Sequence, residues 1–147
     1  MTTFPARVLV GVDASLGSRD AVDIAVSLCE STGAELHLVH VKLKSALLRG
    51  RPAPTAATEV LEREGGELLR RSRLYAERVH PVAGTHLRHA QRVDRALARV
   101  QDELDADVLV IGAGRSSTDA WHLGRTVTAT IRRSPRSVLV ARSGDAD

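Results

Sequence analysis

The chain has 147 residues, room for one compact domain and little more. Twenty-one basic residues against eighteen acidic ones leave a net charge of +3, with 43% hydrophobic and 27% charged residues. That is the composition of a soluble globular protein, and it excludes a disordered chain, a collagen-like chain and a membrane protein. No apolar run approaches the ~20 residues of a spanning helix. Val8–Val12, closed by Asp13, is too short for the apolar core of a signal peptide. A cytoplasmic location is therefore expected.

Arg7–Val12 (RVLVGV) is apolar on both faces, as a buried parallel strand requires. Ala14–Gly17 reads as a loop and Ser18 as the N-cap of a helix. Ala21, Ile24, Ala25 and Leu28 mark that helix by their spacing, and Gly33 ends it. Leu36–Val41 (LHLVHV) is a second buried strand. Lys42–Thr58, with Gly50, Pro52 and Pro54, reads as a loop. Glu59–Val79 is a long helix, with Gly65 on its buried stripe where close approach to a sheet offsets the poor helix propensity of glycine. A third strand is placed at Thr85–Gln91.

Val93, Leu97, Val100 and Leu104 form an amphipathic helical stripe. Val108–Ile111 is a fourth strand, running into Gly112-Ala113-Gly114, and a polar loop, Arg115–Leu123, leads to Gly124. Thr126–Arg133 is open between strand, favoured by its β-branched residues, and a short helix, favoured by Val127 and Ile131 with Pro135 beyond. Ser137–Arg142 is the last strand, and Ser143–Asp147 is expected to fray. The alternation of strands and helices predicts an α/β domain, a doubly wound parallel sheet of five strands with helices on both faces.

In such a sheet, ligands bind at the carboxyl ends of the strands, where the strand order switches. Val12-Asp13-Ala14-Ser15 lies at the end of the first strand, and Gly112-Ala113-Gly114 at the end of the fourth, with Gly124 opening the next helix. Asp13 can accept hydrogen bonds from a ribose or base. A helix N-terminus offers unpaired N–H groups to phosphate. The two segments read as a nucleotide site or as plain turn chemistry, and the residues alone leave both open.

These segments also carry a resemblance. VLVGVDAS, LHLVHV, ADVLVIGAGR and LGRTVTATIRRSPRSVLVAR together resemble the universal stress protein family along the whole chain. The resemblance implies strand order 3-2-1-4-5 and an adenine nucleotide as ligand, ATP first, with or without Mg2+. It also implies a homodimer formed through the last strand, at Ser137, Val138, Leu139 and Val140. A branch of the family lacks the glycine motif and binds no ATP, and a cyclic AMP binder is a further alternative. By the same resemblance Asp13, beside Val12, contacts the nucleoside, the backbone of Val41 meets the adenine, and Gly112 is the first glycine of Gly-x2-Gly-x9-Gly-(Ser/Thr).

The match then departs. Arg115 stands where the second motif glycine belongs, while Gly114 precedes Gly124 by the nine-residue spacer. Arg125 stands where the family has Ser or Thr, with Thr126 and Thr128 one step out of register. The nucleoside half of the motif is kept and the phosphate half is altered.

No P-loop is present, and Ser117 takes the place of the third glycine of a dinucleotide fingerprint. With no phosphate-cradling lysine or general base in view, binding is expected rather than turnover, with at most slow ATP hydrolysis. His37 and His40, like His86 and His89, are three apart on a strand and face opposite ways, so no metal site is expected. His40 reads as a core or site-edge residue. Cys29 reads as a small buried hydrophobe. Trp121 reads as a loop anchor or partner contact. Nineteen arginines against two lysines, with Phe4, Tyr75 and Trp121 the only aromatics, read as a solvated basic face and not as a nucleic-acid footprint.

Overall fold

The structure, a computed structural model, describes residues 3–44, 55–113 and 124–142. Five strands and four helices alternate strictly. They are β1 (Arg7–Gly11), α1 (Leu16–Thr32), β2 (Glu35–Leu43), α2 (Thr55–Ala76), β3 (Val82–Ala90), α3 (Val93–Leu104), β4 (Val108–Gly112), α4 (Arg125–Arg133) and β5 (Ser137–Ala141). All strand pairings are parallel, and the order is β3-β2-β1-β4-β5. The order reverses between β1 and β4, as expected.

The strands that were plain in the sequence are those buried on both faces. Val8 and Val10 of β1, with Leu36 and Leu38 of β2, face one layer that holds Ala21, Val22 and Ala25 of α1 and Leu69 of α2. Leu9, Val39, Leu109 and Ile111 face the other layer, with Leu97 and Val100 of α3 and Val127 of α4. Successive residues of a strand serve opposite layers, so no polar alternation develops.

Several boundaries differ from expectation. The N-cap of α1 is Ser15, not Ser18: the Ser15 hydroxyl accepts the N–H of Ser18 at 3.3 Å. Ser18 is buried one turn later, and its Oγ accepts the N–H of Asp13 at 2.9 Å. Gly33 does close the helix, at φ 77°, with its N–H on the Cys29 carbonyl at 2.7 Å. β2 runs on to Leu43 because β3 pairs with Lys42 and Leu43 through His89 and Ala90. β3 begins at Val82 instead of Thr85, and α2 begins at Thr55 and ends at Ala76. Residues 125–133 are helical; the hydroxyls of Thr128 and Thr130 donate to the carbonyls of Gly124 and Thr126, which satisfies β-branched polar residues inside a helix.

Gly65 is buried where α2 crosses the sheet. A Cβ there would lie 2.9 Å from Cδ1 of Leu87. Its place in a long helix thus follows from close approach to β3.

Candidate functional site

A cavity of about 370 Å³ opens at the carboxyl ends of β1 and β4, on the α3/α4 side of the sheet. Its floor and wall are apolar: Val39, Val41, Val93, Leu97, Ile111 and Val127. Its polar rim carries Asp13, Ser15 and His40 on one side, and Gly124, Arg125 and Thr126 on the other. An apolar body with a few convergent polar groups is the usual make-up of a small-molecule site.

Each wall is set by local chemistry. Val12 extends β1 by one bond, its N–H donating to the Val39 carbonyl at 2.8 Å. The chain then turns at Asp13, whose Oδ1 accepts the N–H of Ser15 at 2.7 Å. The other carboxylate oxygen has no partner among the described residues, so Asp13 is held by its turn and still has acceptor capacity. The Nδ1 of His40 lies 2.7 Å from the Val12 carbonyl. A carbonyl only accepts, so Nδ1 carries the proton of this hydrogen bond.

Gly112 closes the site between the two strand ends. A Cβ on it would lie 2.6 Å from both the carbonyl carbon and oxygen of Gly17. The end of β4 therefore touches the backbone of the first turn of α1. The contact needs glycine at 112, whereas a Cβ on Gly17 would lie at an ordinary 3.7 Å from Cα of Gly112, and it brings the β1–α1 turn against the β4 terminus.

At the opposite wall, α4 starts from Gly124, which supplies no side-chain cap, and its first turn holds no acidic residue. The first N–H groups of a helix have no intrahelical acceptor. With the helix dipole they present an electropositive end to the cavity. Arg125, exposed at the first helical position, adds a full charge there.

A family model described as the universal stress protein family matches residues 6–142. The chain belongs to the universal stress protein family. Among solved structures, a universal stress protein family member from Burkholderia pseudomallei is 20% identical, with 94% of this chain and 96% of that one aligned at a TM-score of 0.73. A universal stress protein in complex with cAMP is 24% identical, covering 96% and 98% at 0.66. The Archaeoglobus fulgidus universal stress protein in complex with dAMP is 19% identical, covering 92% and 96% at 0.67. No curated protein matches the chain in sequence.

Of the site residues expected in this universal stress protein, Val12, Asp13, Val41, Gly112, Gly124, Arg125 and Thr126 all line the one cavity. Gly114 and Arg115 lie outside the described residues, as does Trp121. Ser15, Ser18 and Thr130 line it too. Ser15 was legible as the end of the Val12–Ser15 segment, Ser18 only as a capping residue, and Thr130 as part of an ambiguous segment.

The sequence also concealed a cross-strand pair. His37 and His86 sit on β2 and β3 with Nδ1 and Nε2 3.2 Å apart. Spacing within one strand cannot reveal a neighbour on the next, which depends on register. Among the described residues no group of three or more His, Cys, Asp or Glu side chains is placed to hold a metal ion. Cys29 is fully buried on the inner face of α1, and burial pushes its thiol up to about 11, which suits a packing role. Among the described residues no helix is long and apolar enough to cross a membrane.

Proposed function

We propose that this universal stress protein binds an adenine nucleotide, ATP foremost, in the cavity between β1 and β4, and serves as a cytoplasmic regulatory protein of the stress response. The carrying observation is the juxtaposition in one cavity of an apolar floor, the carboxylate of Asp13 and the uncapped N-terminus of α4. A planar base fits the floor, a ribose hydroxyl donates to Asp13, and phosphate meets the N–H groups of α4 and the guanidinium of Arg125. Related proteins solved with cAMP and with dAMP support an adenine nucleotide. Among the described residues no lysine lines the cavity, which supports binding and signalling over turnover. The functional unit is a homodimer joined through β5.

A second reading is a monophosphate such as cyclic AMP. It is favoured by Arg125, which replaces the small hydroxyl residue of the family motif and occupies room beside the first turn of α4.

Thermal unfolding with ATP, ADP, AMP and cyclic AMP, each with and without magnesium, separates the two. A ligand at a hundred times its Kd adds about 2.7 kcal/mol of stability. ATP is expected to give the largest shift, and cyclic AMP does so under the second reading. Asp13→Ala weakens nucleotide binding by about 1–3 kcal/mol through loss of a hydrogen bond in the cavity. Asp13→Asn, which keeps an acceptor oxygen, loses less. Arg125→Ser weakens ATP binding if the guanidinium meets phosphate. Equal or tighter binding by that variant removes Arg125 from the phosphate site, and no shift with any nucleotide overturns the proposal.

A further inference from the structure

A second concavity, about 700 Å³, lies on the outer side of the molecule between the start of α3 and the length of α4. Arg92, Arg125, Arg132 and Arg133 line it, with Asp94 as the single acid. Four guanidiniums against one carboxylate leave a local excess of three positive charges, equal to the formal excess of the whole chain. The basic character of the protein is concentrated in this groove, and the rest of the chain is balanced.

The arrangement is built. Asp94 is buried, with 6% of its side chain exposed. It takes Nε and Nη2 of Arg92 at 3.1 Å each and Nε of Arg133 at 2.9 Å. Burial pulls its carboxyl upward, but the hydrogen bonds from Arg92 and Arg133 outweigh that and hold it below the usual carboxylate range. One carboxylate thus fixes two guanidiniums from different elements. Both terminal nitrogens of Arg133 and Nη1 of Arg92 remain without a partner among the described residues.

Arg125 and Arg132, two turns apart on the same face of α4, have no acceptor at all among the described residues. Arg132 and Arg133 suit the negative C-terminal end of α4. Arg125, at its first position, and Arg92, at the N-cap of α3, stand where the helix dipole disfavours a cation. Asp94 offsets one of the four charges, and the remaining excess of three repels itself unless a further anion joins the groove.

We infer that this groove binds a chain of several phosphates, and that it continues from the nucleotide cavity by way of Arg125, which lines both. Guanidinium forks match phosphate oxygens in pairs. A chain of linked phosphates spans separated guanidiniums as a single phosphate does not. The chain has two sources: a free inorganic polyphosphate, or the tail of a nucleotide whose base sits in the cavity. Only the second rests on the nucleotide reading.

Calorimetric titration at low ionic strength with inorganic tripolyphosphate tests the groove, and titration with adenosine and AMP tests the cavity. Tripolyphosphate binds the wild type, and Arg132→Gln weakens it by about tenfold or more, the loss of a charge-assisted contact. Arg132→Glu weakens it further, and both variants keep the wild-type affinity for adenosine. Ala129→Glu, which sets a negative charge on the same wall, gives the same loss if the arginine variants fail to fold. A tail source is recognised when AMP competes with longer-chain nucleotides but not with tripolyphosphate, and when Arg132→Gln erases the preference for ATP over AMP. An inorganic source is recognised when Arg132→Gln weakens tripolyphosphate binding but leaves the preference for ATP over AMP unchanged.

No binding of tripolyphosphate to the wild type overturns the inference. So does unchanged affinity in Arg132→Glu, or equal retention of sulfate or duplex DNA, which marks a nonspecific basic face. Loss of adenosine and AMP binding with tripolyphosphate binding intact fails the nucleotide reading alone.

Discussion

At the residue scale, Gly112 shows how a position in a ligand motif also has a packing role. A methyl group there would enter the space of the Gly17 peptide, 2.6 Å from two of its backbone atoms. Backbone cannot rotate aside as a side-chain tip can, so the β4 end and the first turn of α1 would have to separate. Gly112→Ala is expected to destabilise the protein by about 1–3 kcal/mol, the range for overpacking, and to loosen nucleotide binding by shifting the turn that carries Asp13. Gly66 is the control. It is exposed within α2, and a Cβ there meets nothing within 4 Å. Gly66→Ala should stabilise by about 1 kcal/mol through helix propensity alone. Urea unfolding of the two variants beside wild type checks both signs, and a neutral Gly112→Ala would refute the close contact.

At the element scale, the two edge strands differ in chemistry, and β3 is the one that was hard to read. Its sequence, VAGTHLRHA, is half-exposed along most of its length and rich in polar residues. Charged and polar side chains on an edge discourage pairing with other chains, and they also erase the apolar run by which β1, β2 and β4 were legible. α4 was ambiguous because its β-branched residues argue for strand, while its tertiary setting, with Val127 and Thr130 buried, makes it a helix. The candidate cavity was legible at Asp13, Gly112 and Gly124 because these turn-type residues fall together at the carboxyl ends of the two strands where the order switches and at the start of the next helix. It was not legible at Leu97 or Ile111, which serve the core and the cavity floor at once. The His37–His86 pair, created by the β2–β3 register, carries a prediction about pH. Burial holds both imidazoles below their ordinary value of 6.5. For His37, Glu35 opposes this and Arg7 adds to it; for His86, His37 and Arg88 add to it and Glu103 opposes. Below the unfolded value the unfolded chain takes up protons that the folded pair refuses. Stability is then fully present above about pH 6.5, falls as the pH drops, and levels once the folded pair is protonated. His86→Gln keeps a hydrogen-bonding group and removes the titration. Denaturant unfolding at pH 7.5 and pH 5.5 should show a smaller acid-side loss for the variant than for wild type, and parallel losses would discard the pair as the cause.

At the scale of the whole molecule, the sheet ends on the opposite side in β5, which pairs only with β4. Val138, Leu139 and Val140 there are half-buried and apolar, unlike the polar residues along β3. An apolar edge strand with unpaired backbone groups is a template for a second copy, and a dimer through β5 would cover it. The backbone decides which positions test this. Ala141 turns its carbonyl toward the β4 side, where it accepts the N–H of Ala113 at 2.9 Å. In a parallel strand the N–H and C=O of one residue point the same way and alternate along the chain. Ala141, Leu139 and Ser137 thus face β4, and Val138 and Val140 face the open edge. Proline at Val140 removes an outward N–H and leaves the β4–β5 ladder intact, whereas proline at Leu139 removes a ladder bond and unfolds the edge. Wild type is expected to be dimeric by light scattering at micromolar concentration. Val140→Pro should be monomeric with its circular dichroism unchanged, and Leu139→Pro should lose structure. A wild type that is monomeric at that concentration, or a folded Val140→Pro that remains dimeric, would rule out association through β5.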